Sequence, residues 1–238
     1  MGEDSLVAGY DRLLASVGER ANEIGSRPVV THWPLVGSAY EDLLIVGQAV
    51  PGWSDPHPAT DFRVAPSRAA AISAFRARVE RPEPLDWIET HPVRKSPFWH
   101  VVRLIVEGLQ PDPTTPWFRR FAWANLYPVA PEDPPGSPTG PLKEAEDPVV
   151  GALLRTTVEA LNAKKVIVLA GPYWWSAAEG AGLTNLPELG RPLLRGGRSV
   201  GRTWIVGWHP AGASRRHWGP ARYADLIVET VREIEGNL

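Results

Sequence analysis

The chain has no cysteine among its 238 residues. That excludes a disulfide framework, a thiolate nucleophile and a cysteine-ligated zinc site. It also lacks an excess of positive charge: 25 Lys and Arg stand against 27 Asp and Glu, a formal net charge of −2. The broad basic field of many duplex-binding proteins is therefore missing, although a local patch can serve instead. No apolar run approaches the ~20 residues of a membrane-spanning helix. The opening Met1-Gly2-Glu3-Asp4-Ser5 is acidic and polar, without the apolar segment of a secretion signal. A cytoplasmic protein with no membrane association is expected. The six histidines are scattered, with no His-x-x-x-His spacing to hold a metal. Gly-x-Ser-x-Gly, Gly-x-Gly-x-x-Gly and Gly-x-x-x-x-Gly-Lys are all absent, which removes the usual serine-hydrolase and nucleotide-binding fingerprints. No cofactor or metal is implied.

What the chain does have is 43% apolar residues, enough for a packed core, with 11 tryptophans and 25 prolines. The prolines favour long ordered loops, and the tryptophans supply large flat surfaces. Leu6, Tyr10, Leu13, Leu14, Val17, Ala21 and Ile24 recur at helical spacing. Branched apolar runs predict buried strands at Asp42 to Gly47, Arg120 to Leu126, Val166 to Ala170 and Thr203 to Gly207. Between them lie helical stretches: Pro66 to Val79, a Ser96-Pro97 cap opening a helix to Glu107, and Asp147-Pro148 opening one to Asn162. Pro128 to Pro141 reads as a loop, Leu193 to Arg198 as an edge hairpin with the next strand, and Pro220 to Glu235 as the last helix. Alternating strands and helices imply a mainly parallel sheet covered on both faces. The expected fold is α/β: one three-layer α/β/α domain with a mainly parallel four-stranded central sheet. It would span residues 1–238, with 1–41 as an N-terminal helix and lead-in and 42–238 as the core.

The strand ends carry the chemistry. They read Gly47-Gln48-Ala49-Val50-Pro51-Gly52, Trp123-Ala124-Asn125-Leu126-Tyr127-Pro128, Ala170-Gly171-Pro172-Tyr173-Trp174, and Trp208-His209-Pro210-Ala211-Gly212-Ala213-Ser214-Arg215-Arg216. Loops at the carboxyl ends of strands are where open α/β folds bind ligands. In this order the motifs resemble the uracil-DNA glycosylase superfamily, from about Leu43 to Glu235. That family ends its first strand in a Gly-x-Asp/Asn/Ala-Pro-type loop, its second commonly in a base-reading asparagine and its fourth in a His-Pro-Ser-type loop.

The resemblance implies base reading by Asn125, whose amide offers a donor and an acceptor side by side. The plain alternative is an asparagine that closes its strand by bonding local backbone. His209 would lie beside the leaving base and donate a hydrogen bond where negative charge develops; otherwise its ring supports the turn at Pro210. Ser214, Arg215, Arg216 and His217 form a local cluster suited to phosphates, or a solvated loop face. Gly47 and Ala49 would border the base. The best-known branch holds a water-activating aspartate where this chain has Ala49. Alanine cannot replace it. Gln48 can position a water but cannot take its proton, which leaves Asp55 and Asp61 as the nearby carboxylates. Their alternative role is ordinary solvated acids. Trp53 is the ring placed to stack on an extruded base, a contact worth ~1–3 kcal/mol. Trp123, Tyr127, Tyr173, Trp174, Trp175 and Trp208 read mainly as packing around the site.

The implied activity is hydrolysis of the N-glycosidic bond of a flipped-out uracil or modified base, in base-excision repair or defence against modified DNA. The partner would be single- or double-stranded DNA, with no obligate protein partner evident. The many rings favour a modified or bulky base. Two other readings stay open: a non-catalytic nucleotide or damaged-DNA binding protein on the same fold, and a hydrolase acting on free nucleosides.

Overall fold

The computed structural model describes residues 2–48, 55–133, 136–174, 177, 180–190, 192–214 and 218–236. In chain order the elements are α1 (Gly2–Glu19), α2 (Ala21–Ile24), β1 (Pro28–Thr31), β2 (Leu35–Val36), β3 (Leu43–Gly47) and β4 (His57–Pro58). Then come α3 (Ala65–Val79), α4 (Trp87–Thr90), α5 (Pro97–Leu109), β5 (Ala122–Asn125), β6 (Val129–Pro131) and α6 (Gly140–Ala160). The remainder is β7 (Lys165–Leu169), β8 (Leu193–Ser199), β9 (Arg202–Gly207), α7 (Pro210–Ser214) and α8 (Pro220–Gly236). Short 3-10 turns join several of these.

The protein is α/β. The anticipated strands lie side by side and parallel, β5-β3-β7-β9, with Ile45 level with Trp123 on one side and Ile167 on the other. The central sheet is nevertheless larger than the expected four strands. It has six and is mixed, because β2 and β8 add an antiparallel strand at each edge. The β8–β9 hairpin was legible in the sequence. The two-residue β2 was not, being too short to show any alternation. A second, antiparallel sheet, β4-β1-β6, forms from segments that read as lead-in and loop.

Alternation along the central strands divides the core in two. Leu44, Val46, Ala122, Ala124, Val166 and Val168 face α1, α3 and α6. Leu43, Ile45, Trp123, Ile167, Leu169 and Ile205 face α5 and α8. No residue of β3 has a face exposed to solvent, which is why its sequence is an unbroken apolar run.

Helix α6 corrects the expected start at Asp147. It begins seven residues earlier, at Gly140, and carries Pro148 inside. A mid-helix proline costs about 3 kcal/mol by removing one N–H and crowding the carbonyl four residues back. Leu142 and Ala145, buried on the same side as Val150 and Leu153, offset this, since a fully buried leucine alone contributes about 1.5–3 kcal/mol. Among the described residues no helix is long and apolar enough to cross a membrane.

Candidate functional site

The four parallel strands end at one edge of the sheet, and there a cleft of about 400 Å³ opens. Gly47 and Gln48 line it from the end of β3, His209 from the turn after β9, and Phe98 and Trp99 from the first turn of α5. His91, Pro92, Lys95 and Ser96 complete the wall ahead of α5. A larger groove of about 500 Å³ lies elsewhere, between the end of α5 and the start of β5. Its Asp112 carboxylate is already bonded to the Thr114 hydroxyl at 2.6 Å, and no strand-end residue lines it.

Asn125 is the last residue of β5 and sits in register with Gly47. A Cβ at position 47 would come 2.8 Å from Asn125 Oδ1 and 3.3 Å from Phe98 Cζ. Glycine therefore makes the room in which the amide lies. Asn125 is only 8% exposed, yet neither its Oδ1 nor its Nδ2 has a hydrogen-bond partner among the described residues. It does not cap its strand. Leaving such groups unpaired costs roughly 1–3 kcal/mol each, so the amide marks a place where a ligand can supply the partners.

His209 is held from several sides. The Tyr223 hydroxyl donates to the Trp208 carbonyl at 2.7 Å, and Gly171 N–H donates to the Gly207 carbonyl at 3.1 Å. Gly171 has φ of +88°, a backbone conformation that favours glycine. Burial lowers the His209 pKa from its usual value, so the ring is neutral at pH 7. Ala211 N–H donates to Nδ1 at 3.3 Å. The ring proton is accordingly assigned to Nε2, which leaves Nε2–H as the donor for a ligand.

Phe98 was not anticipated as a site residue. Ser96 caps α5, its hydroxyl accepting from Trp99 N–H at 3.4 Å, with Pro97 in the first turn. This places Phe98 beside His209, ring centroids 5.8 Å apart and planes 15° apart. A flat ligand lying in the plane of His209, as an in-plane N–H···O bond requires, lies parallel to Phe98. Trp99 lines the cleft, and the buried Trp123 packs against it edge to face at 4.8 Å. Behind Trp123, the fully buried His32 ring meets it at 4.5 Å. Gln48 is fixed through its backbone, which accepts from Tyr127 N–H at 3.0 Å. Its Nε2 donates to Ser137 Oγ at 2.5 Å, leaving Oε1 to accept from water.

Of the anticipated site residues, Gly47, Gln48 and His209 line the cleft, and Asn125 lies against Gly47 without lining it. Asp55 and Asp61 are elsewhere. Asp55 is exposed and pairs with Arg78 at 3.1 Å; Asp61 is exposed and faces His57 at 3.9 Å. Neither lines the cleft. Ser214 ends α7, and Ala49, Trp53, Arg215, Arg216 and His217 lie outside the described residues. Trp123, Tyr127 and Trp208 are buried packing residues, as expected, whereas Tyr173 is exposed. Among the described residues no group of three or more His, Asp or Glu is arranged to hold a metal. No protein-family model matches this chain, and no curated protein matches its sequence.

Proposed function

We propose that the protein is a DNA glycosylase of the uracil-DNA glycosylase type, built on a three-layer α/β/α fold, that hydrolyses the N-glycosidic bond of a flipped-out base. The observation that carries this reading is the buried, unpartnered amide of Asn125 beside the parallel rings of Phe98 and His209. A base extruded from DNA needs stacking and paired edges to offset its unstacking. Phe98 offers a face, and Asn125 an adjacent donor and acceptor.

As the glycosidic bond breaks, its electron pair leaves with the base. His209 Nε2–H donates to the base oxygen on which that charge collects. A water held by Gln48 Oε1 then adds to the sugar carbon, and its proton passes to solvent. The reading is tested by base release from single- and double-stranded DNA carrying uracil or modified bases. Free base and abasic product should form, and Asn125→Ala and His209→Ala should each lower both by about tenfold or more. Release by Asp55→Asn and Asp61→Asn should match the unsubstituted protein.

One observation favours a second reading, recognition without cleavage: no carboxylate lines the cleft among the described residues. Tight binding without abasic product across the panel would select it.

A further inference from the structure

Two cavities lie at the amino edge of the sheet, where β3, β5 and β7 begin, opposite the cleft. They measure about 500 and 350 Å³ and share Pro111, Asp112, Thr115 and Arg120, so they form one groove. Arg120 precedes β5 and is only 6% exposed. Its Nη1 donates to the Gln110 carbonyl and so caps the end of α5. Nε and Nη2 bond nothing among the described residues, and no carboxylate there pairs with the guanidinium. Taking such a cation out of water without a counter-charge is costly. Both polar atoms of the Gln110 side-chain amide are also buried without a partner among the described residues, and Gln110 lines the smaller cavity.

The other charges of the groove are matched. Lys165 pairs with Asp42 at 2.7 Å, Arg103 holds Glu107 at 2.8 Å, and Asp112 accepts from the Thr114 hydroxyl at 2.6 Å. Two opposite charges are left over: Arg120, and Glu41, which lines the smaller cavity and makes no ion pair with a described residue. In the larger cavity stands Trp117, its ring stacked on the fully buried Phe121 at 5.7 Å with 2° between planes. We propose that this groove is a second ligand site and that it binds a free α-amino acid with an apolar side chain. The carboxylate takes the spare donors of the guanidinium fork, the ammonium faces Glu41, and the side chain packs on Trp117. Of these three residues Arg120 lines both cavities, so it lies between the other two. An α-carbon joins its carboxylate, ammonium and side chain in that arrangement. Glu41, Asp42, Glu107 and Asp112 around Arg120 disfavour a phosphate dianion in the same place. The groove shares no lining residue with the cleft, and its ligand is independent of the glycosylase activity.

Isothermal titration of the full chain with L-phenylalanine, hydrocinnamate and phenethylamine tests the site. These probes carry both charges, the carboxylate alone and the amine alone. L-Phenylalanine should bind at equimolar ratio and tightest, and phenethylamine weakest. Arg120→Lys should weaken L-phenylalanine by about tenfold, the loss of a charge-assisted hydrogen bond. Glu41→Gln, exposed and outside every helix and strand, should weaken it about two- to fivefold and leave hydrocinnamate unchanged. No binding of L-phenylalanine up to its solubility limit, equal affinity for L-phenylalanine and hydrocinnamate, or equal loss of both in Glu41→Gln would overturn the assignment. So would unchanged binding by an Arg120→Lys protein whose urea midpoint has fallen, since that confines Arg120 to capping α5. The comparison of the three probes needs no substitution, so it decides even if Arg120→Lys does not fold.

Discussion

The ring planes of Phe98 and His209 lie within 15° of each other, although one residue opens α5 and the other follows β9. On the proposed reading, a base coplanar with the imidazole would lie parallel to the phenyl ring while accepting from Nε2–H. The two contacts act at different stages. Stacking is present in the bound ground state, whereas the hydrogen bond strengthens as charge develops. Phe98→Ala should mainly weaken binding, by the ~1–3 kcal/mol of one stacked base. His209→Ala should leave KM nearly unchanged and lower kcat by about 10²–10³. Burial lowers the His209 pKa from its usual value, so the rate should change with protonation of this ring at a lower pH than a solvent-exposed histidine would give. Steady-state kinetics on a modified oligonucleotide over pH would show whether this division holds.

Gly47 and Asn125 offer a sharper test of the pocket. The Cβ of Gly47→Ala would have to share space with Asn125 Oδ1 at 2.8 Å. Overpacking of this kind costs about 1–3 kcal/mol, and the least anchored atom present is the unbonded amide. Gly47→Ala should thus keep the fold while swinging Asn125 away, with base release down tenfold or more. Because both substitutions remove one interaction, adding Asn125→Ala should cost little further activity. Full additivity in that double-mutant cycle would show that the two residues act separately.

The parallel strands were legible because burial on both faces leaves an apolar signature that no surface element imitates. The positions of Asn125 at the end of β5 and of His209 just after β9 were legible from those strands. Phe98 was concealed by its own chemistry, since an aromatic in an amphipathic helix reads as core. Yet Ser96-Pro97 had marked the start of α5. A helix leading into a parallel strand starts at the carboxyl edge of the sheet, which is where ligands bind. The failure of Asp55 and Asp61 to reach the cleft could not be read from sequence distance. The loop path carries them towards α3 and His57 instead, where each meets a basic partner. The start of α6 was misplaced because Pro148 is a good opening residue, and only the burial of Leu142 shows that the helix continues through it.

Tyr223 sets the height of the His209 turn. Its hydroxyl is buried and donates to the Trp208 carbonyl at 2.7 Å, and it fills the space beside Gly207. Tyr223→Phe removes that hydrogen bond, a cost of about 0.5–1.5 kcal/mol in urea denaturation. The freed turn should also let His209 drift. A fall in kcat with KM preserved is the expected outcome, and loss of stability without any change in kcat would restrict Tyr223 to a packing role.

His32 and Glu146 set opposing pH dependences on stability. Burial pushes the His32 pKa down to about 3, so the unfolded chain takes up a proton below 6.5 that the folded protein refuses. Its contribution is complete above pH 6.5 and is lost as pH falls towards 3. Glu146 is fully buried, accepts from Val129 N–H at 3.1 Å through one oxygen and, among the described residues, has no hydrogen-bond partner for the other. Desolvation raises its pKa well above 4.5, with Asp147 adding to the effect. The folded protein therefore keeps a proton that the unfolded chain releases above pH 4.5, and stability declines as pH rises from there towards the folded value. Each slope is at most about 1.4 kcal/mol per pH unit, and the two have opposite signs where both groups titrate. Burial lowers the His209 pKa as well, which adds to the His32 slope. Glu146→Gln removes the opposing one. Urea midpoints for this variant should therefore climb more steeply with pH above 4.5 than those of the unsubstituted protein. Parallel curves for the two proteins would mean that Glu146 titrates alike in the folded and unfolded chains.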